Sequence, residues 1–333
     1  MSISGYDIYG ESSLRRHIRI GTRGSALALW QAEWIKLGLE KNLSGMTMTL
    51  VKIKTTGDKI LDVPLAKVGG KGSFVKEIEE AMLAGEIDIA VHSMKDVPTM
   101  FPDGLHLGAI TKREDPRDAL LSKDKVPFHE LPKGAHVGTS SLRRQAQLMH
   151  VRPDLAIHQL RGNVDTRIRK LKDGQFDAII LAAAGVKRLG FVEHVTEYLS
   201  PEICLPAAGQ GSLGIECRMN DRELNDLISF FNDPDSRTCV TGERALLRRL
   251  EGGCQVPIAG YGFIKGKKLR LAGLVAGVDG KRIIKDTIEG DPVKAEELGI
   301  LLAEKLLSQG ADVILKEVYG RNPDYSGTNL LEI

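Results

Sequence analysis

From His17 to about residue 215, short apolar runs alternate with segments of helical period. "HIRIGT" reads as a strand and "SALALWQAEWIKLGLEK" as the helix after it. "MTLVKIKTTGD" is a strand, "SFVKEIEEAMLAGE" a helix and "IDIAVHS" a strand. The order repeats in "AHVGTS", "SLRRQAQLMHV", "LAIHQL", "NVDTRIRKLKDG", "FDAIILA" and "AAGVKRL". Runs of this kind are buried on both faces, and helical crossovers between them favour parallel pairing. The expectation is an α/β protein with mainly parallel sheets.

Two stretches interrupt the alternation. "TKREDPRDAL" is charged and carries Pro116, and "SPEICLPAAGQGS" is rich in turn residues. They flank one βα block, so the chain is expected to cross twice between two α/β lobes. The expected division is a tail at 1–17, a first lobe at 18–112 with 206–230, a second lobe at 117–203, and a C-terminal α+β domain at 233–333. In that last part, "KLRLAGLVAGVDGKRIIKDTIEG" alternates around Asp279-Gly280, a hairpin signal. "PVKAEELGILLAEKLLSQG" predicts an amphipathic helix ending at Gly310.

The polar residues that matter sit where strands end and helices begin, the usual place for ligands in open sheets. "GTRGSALAL" offers Arg23 and Ser25, although Ser25 also reads as a helix N-cap. "AVHSMKDVP" follows a buried strand with Lys95 and Asp96. "VGTSSLRRQAQL" leads through Thr139 and Ser141 into a helix whose first turn holds Arg143 and Arg144. Arginines are unfavourable beside the positive end of a helix dipole, so two there read either as the flanks of an anion or as a solvated basic face. "QLRGNVDTRIRK" repeats the arrangement with Arg161 and Arg167, and Arg188 closes the same basic block. Arginine suits carboxylates and phosphates because its fork gives two hydrogen bonds. "VGGKGSFVKE" resembles a phosphate loop but places Gly72 after Lys71, where that loop needs Ser or Thr. A glycine-rich mobile loop is the better reading.

Overall charge is nearly balanced, with 46 basic and 44 acidic residues, which argues against a general nucleic-acid or membrane-surface binder. Between Arg143 and Arg188 the one aromatic is Phe176, a poor supply for base stacking. The first residues hold Asp7 and Glu11 and have no apolar core of a secretory signal, so the expected location is the cytoplasm. Four cysteines, Cys204, Cys217, Cys239 and Cys254, form no C-x-x-C pair, and no metal site is expected. Cys254 stands apart. It follows Gly252 and Gly253 in "LEGGCQVPIAG", which reads either as a turn with a small residue or as a thiol presented to something.

Taken together, "GTRGSALALWQA", "GGKGSFVKE", "VHSMKDVP", "VGTSSLRRQAQL", "LRGNVDTR", "LPAAGQGSLGIE" and "GGCQVPIAG" resemble the hydroxymethylbilane synthase, or porphobilinogen deaminase, family in kind and order. The resemblance runs from about Ile18 onward. It implies two lobes like type 2 periplasmic binding proteins, with a third domain carrying the cysteine loop. It implies a dipyrromethane cofactor joined to Cys254 through a thioether, and two side-chain-free glycines leave room for a pyrrole beside the sulfur. The implied reaction joins four porphobilinogen molecules head to tail onto this primer with loss of ammonia, then releases the linear tetrapyrrole by hydrolysis. Each pyrrole brings an acetate and a propionate, which the arginine excess would hold. Asp96 is the implied catalytic residue. Arg23, Ser25, Lys95, Thr139, Ser141, Arg143, Arg144, Arg161, Arg167 and Arg188 are the implied cofactor and substrate contacts. The implied protein is a monomer that needs no nucleic acid. Asp165 lies within the basic motif without an assigned role. The rival reading is a non-catalytic binding protein for a polycarboxylate, against which the Cys254 loop stands.

The purified protein is expected to exceed its sequence mass by one dipyrrole, carried on Cys254 alone among the cysteines. Peptide mapping that finds a free Cys254 thiol in active enzyme would overturn this expectation. Cys254→Ser should fold and fail to hold the primer.

Overall fold

The computed structural model describes residues 17–59, 75–251 and 256–320. The tail at 1–16, most of the glycine-rich loop and Cys254 lie outside the described residues.

The first sheet has the order β2 (Thr47–Lys52), β1 (His17–Thr22), β3 (Ile89–Ser93), β10 (Leu213–Arg218), β4 (Leu105–Ile110). The second has the order β7 (Ala156–His158), β6 (His136–Gly138), β8 (Ala178–Ala182), β5 (Asp118–Ser122), β9 (Glu197–Leu199). Helices α1 (Ala26–Asn42), α2 (Thr56–Lys59), α3 (Lys76–Leu83) and α7 (Arg222–Ile228) accompany the first sheet. Helices α4 (Leu142–Val151), α5 (Val164–Lys172) and α6 (Ala183–Arg188) accompany the second. The βα alternation is therefore present, and it builds two α/β lobes.

The sheets are mixed rather than mainly parallel. In each lobe three strands are parallel, β2–β1–β3 and β7–β6–β8. The fourth position is antiparallel and is filled by a strand next to a crossing between lobes: β10 beside β3, and β5 beside β8. A chain arriving from the other lobe has no helical crossover to impose parallel direction. The charged stretch "TKREDPRDAL" is correspondingly irregular only to Arg117, after which β5 begins at Asp118. β5 is buried along its whole length.

The third part joins a three-stranded antiparallel sheet, β11 (Ile258–Lys265), β12 (Lys268–Ala276) and β13 (Ile283–Gly290), to α8 (Pro234–Arg249), α9 (Ala295–Leu306) and α10 (Asp312–Gly320). The turn at Asp279-Gly280 lies between β12 and β13 as the sequence implies. The expected end at Gly310 is a kink instead. A wide turn at Leu307–Ala311 holds Gly310 at φ 98°, and the chain continues into α10. Leu246, Leu271, Leu302 and Leu306 form the core of this part.

Glu243 of α8 ties all three parts together. Fully buried, it accepts hydrogen bonds from Arg113 of the first crossing, the Gly209 amide of the second, and the Gly262 amide of β11. Among the described residues, no helix is long and apolar enough to cross a membrane.

Candidate active site

Strand β3 ends at Ser93 and passes into a single 3-10 turn, Met94–Asp96. Met94 is buried and its amide donates to Ser212 O at 3.0 Å. Gly209, at φ 74°, lies against it so closely that a Cβ there would stand 2.8 Å from Met94 Cβ. With Met94 fixed below, Lys95 is half-buried and Asp96 is exposed. Burial pushes the Lys95 ammonium below its ordinary value; Asp96 and Asp118 oppose this, and Arg144 and Arg143 reinforce it.

Across from this turn, Ser141 caps α4 by accepting from the Arg144 amide at 3.4 Å. Thr139, also buried, accepts from the Ser141 amide at 3.2 Å. The anion that two arginines in a first helical turn demand is supplied by the chain itself. Asp118 Oδ2 accepts from Arg143 Nη1 at 2.8 Å, and Oδ1 accepts from Arg144 Nη2 at 2.7 Å and Nε at 3.0 Å. Gln210 Nε2 donates to the same carboxylate at 3.0 Å and Cys204 Sγ at 3.2 Å. Arg143 also donates to Leu205 O, and Arg144 to Ile180 O. Asp118 is wholly buried, yet the two arginines hold its carboxyl far below the ordinary carboxylate range against the opposing effect of burial. Cys204 beside it is inert, its thiol pushed up to about 12 by burial and by the Asp118 charge.

The other cations are placed differently. Arg167 Nε donates to Gly162 O at 2.7 Å, and Arg188 Nη2 donates to Gly211 O at 2.7 Å. Among the described residues neither meets a carboxylate in a salt bridge, and burial brings each guanidinium down to about 10. For Arg167, the neighbouring Arg144 and Arg161 push the same way and Asp96 opposes. Arg161 and Lys95 make no side-chain ion pair among the described residues. Arg23 stands in the turn after β1, and Ser25 is the N-cap of α1, its hydroxyl accepting from the Ala28 amide at 3.3 Å. Asp165 is exposed in the first turn of α5, where a carboxylate complements the helix dipole.

The structure thus gathers Lys95, Asp96, Arg143, Arg144, Arg161 and Arg167 within mutual electrostatic reach, drawn from both lobes. It sorts the arginines in a way the sequence does not: Arg143 and Arg144 have an internal counterion, while Arg167 lies against the like charges of Arg144 and Arg161. Sequence reading missed Asp118, Cys204 and Gln210. The available signal was an acid directly before the apolar run Ala119–Leu121, which requires a cationic partner once buried.

Two α/β lobes contribute Lys95, Arg161 and Arg167 to one cation-rich place, none of them in a salt bridge among the described residues. A family model described as "Porphobilinogen deaminase, dipyromethane cofactor binding domain" matches residues 18–226, and "Porphobilinogen deaminase, C-terminal domain" matches 237–308. The chain is 65% identical over 306 residues to the porphobilinogen deaminase of Geobacter metallireducens, covering 92% of this chain and 96% of that one. To the porphobilinogen deaminase of Geobacter sulfurreducens it is 64% identical over 304 residues, covering 91% and 95%. It also matches the crystal structure of a probable amino-acid ABC transporter extracellular-binding protein from Bacillus subtilis, at 14% identity and TM-score 0.41, over 65% of this chain and 90% of that one. The chain belongs to the porphobilinogen deaminase family. Its activity is that of a hydroxymethylbilane synthase, a transferase working with a dipyrromethane cofactor, and the reading as a non-catalytic binding protein is not favoured. The donor set fits such a group: Arg167 and Arg188, without a salt bridge among the described residues, suit a molecule whose every ring carries acetate and propionate.

Asp118→Asn should leave two buried guanidinium groups under-compensated, a change that costs about 3–5 kcal/mol when a buried pair is broken. Thermal melting should fall, and intact-mass analysis should show mostly protein without cofactor. The native carboxyl is depressed, so its contribution is present above the unfolded carboxyl's titration range. It is lost only as pH falls through the folded value. The variant should therefore be less stable at neutral pH and should converge on wild type in strong acid.

Proposed function

We propose that Asp96 is the catalytic residue and that the cations around it hold the substrate and the growing chain by their carboxylates. The carrying observation is the contrast between Asp96, an exposed carboxylate at the end of a rigid turn, and the compressed cations on its flanks. A carboxylate so placed can accept pyrrole N–H groups and stabilise the cation that forms when porphobilinogen loses ammonia. It can also move a proton to the departing amine. Dipyrromethane, when bound, supplies the carbon to which the first pyrrole is joined, and Cys254 is its proposed point of attachment.

Arg143 and Arg144 are proposed to hold the cofactor rings, with donors left over after Asp118 is served. Thr139, Ser141 and Lys95 border the same place. Arg23, Ser25, Arg161, Arg167 and Arg188 are proposed to act on incoming substrate and the lengthening chain. A charge-assisted hydrogen bond contributes about 1.5–3 kcal/mol, so several are needed to keep a flexible oligomer in register.

The domain division proposed is 18–112 with 206–230, 117–203, and 233–333. In its support, each sheet draws its strands from one of these segments, His17 alone standing just before the first. The protein is proposed to work as a monomer in the cytoplasm, with porphobilinogen as its partner. The near balance of charge speaks against nucleic acid.

Asp96→Asn keeps the shape and loses the charge that faces the cation. It should nearly abolish turnover while the mass of the cofactor-bearing protein and its melting temperature stay near wild type. Activity within about tenfold of wild type, some 1.4 kcal/mol of barrier, would remove Asp96 from this role.

The arginines are tested by the ladder of masses after brief exposure to substrate. Arg143→Leu and Arg144→Leu should give mostly protein without cofactor. Arg23→Leu, Arg161→Leu, Arg167→Leu and Arg188→Leu should carry the cofactor and stall, each at its own number of added pyrroles. Lysine at these positions should recover part of the function, since it keeps charge and loses the fork. A uniformly slower ladder with the wild-type stopping point in every variant would reduce the arginines to bulk positive potential.

A further inference from the structure

Helix α8 is the last regular element before the Cys254 segment, and one of its side chains reaches back to the Asp96 turn. Arg244 Nη1 donates to Val97 O at 3.1 Å, and Nη2 donates to Pro98 O at 2.6 Å. Its guanidinium carbon lies 5.4 Å from the centre of the Phe101 ring. One turn earlier on the same helix, Val240 is fully buried in a cluster with Met94, Val97 and Ile110. The two residues after Asp96 are thus held by α8 through both an apolar contact and a pair of hydrogen bonds.

A guanidinium is an expensive way to fill this place. Arg244 forms no salt bridge among the described residues, and burial lowers its proton affinity, with Arg248 adding to the effect and Glu216 opposing it. Glu216 is itself engaged, accepting from or donating to nothing but His92 Nε2, at 2.9 Å, among the described residues. An apolar side chain would pack against Phe101 and Val240 at lower desolvation cost. The feature that only the guanidinium provides is the two-pronged grip on consecutive carbonyl groups.

We propose that Arg244 is a positioning residue for the reaction, locking the Asp96 turn to the helix that leads to Cys254 so that the carboxylate keeps one place relative to the site of chain growth. This rests on the reading of Asp96 as catalytic. Arg244 touches backbone only and acts through that turn. Misplacement by about 1 Å can cost on the order of a hundredfold in rate, so a small loosening of the turn has a measurable effect. The turn serves every addition, so its loosening slows all four steps alike.

The test uses the cofactor-bearing enzyme with Arg244→Met, which keeps a flexible stem beside Phe101 and removes the donors. Assays run well below each variant's melting temperature, and the exposed Arg249→Gln on the same helix serves as a control with wild-type rates. Intact mass should show the dipyrrole retained. The expected kinetic result is a kcat lower by about tenfold or more with KM little changed. The mass ladder should slow uniformly, without a new stopping point, and Arg244→Lys should recover part of the rate. The double variant with Asp96→Asn should be no slower than Asp96→Asn alone, since a residue acting through Asp96 has nothing left to position. A wild-type kcat in Arg244→Met, or a loss that multiplies with that of Asp96→Asn, would overturn the proposal. Should the Met variant not fold, Arg244→Lys carries the same tests, and a full wild-type kcat there would count against the two-pronged grip. An active Asp96→Asn enzyme would instead strike at the catalytic reading itself, so the two failures are told apart.

Discussion

A single buried carboxylate, Asp118, is the constraint on which the site depends. It accepts from Arg143, Arg144, Gln210 and Cys204, which come from the start of α4 and from the second crossing between lobes. Gln210 also donates to Pro116 O in the first crossing, at 2.6 Å. Both passages of the chain between lobes are therefore knotted at one charge. A buried ion pair contributes little stability over an apolar replacement, yet it is severe about geometry. Here that severity is useful: two guanidinium groups are held at a helix start where the helix dipole repels them, with donors to spare.

The remaining cations are arranged on the opposite principle. Arg167 lies close to Arg161 and Arg144, and Lys95 to Arg144 and Arg143, with Asp96 the acid that faces both. Burial lowers the proton affinity of Arg167 and of Lys95, and neighbouring arginines push each the same way. In the proposed reading, a molecule rich in carboxylates relieves that repulsion on arrival, so repulsion in the free protein becomes attraction in the complex. The Asp118–Arg143/Arg144 set is a fixed frame, and in the proposed reading the cations beside it are what the substrate's carboxylates meet.

Much of this was legible in the sequence. Strands buried on both faces read as unbroken apolar runs, which is why β3 and β8 are visible as "IAVHS" and "AIILA". β5 was hidden because its first residue is charged and follows the charged crossing, so a buried strand looked like the end of a loop. The sixteen-residue helix α8 was hidden for another reason. It packs through Gly242, Glu243 and Ser236 as well as through leucines, and a Cβ on Gly299 of α9 would stand 2.2 Å from Gly242 O. Close helix contact through small and polar residues leaves no clear apolar period. The arginines announced an anion site from composition and position alone. Their division into paired and unpaired could not be read, because it is decided by Asp118, 25 residues before Arg143 and in a different kind of segment.

The place of β10 has a consequence for the order in which the molecule can be made. β4 finds its sheet partner in β10, and the amide of Met94 finds its acceptor in Ser212. Both partners leave the ribosome more than a hundred residues after the segments they complete. The first lobe to be synthesised is thus the later one to close, while the second lobe has all of its strands between Asp118 and Leu199 in hand before then. A nascent chain that ends before Ser212 carries the Asp96 turn without the acceptor that holds Met94.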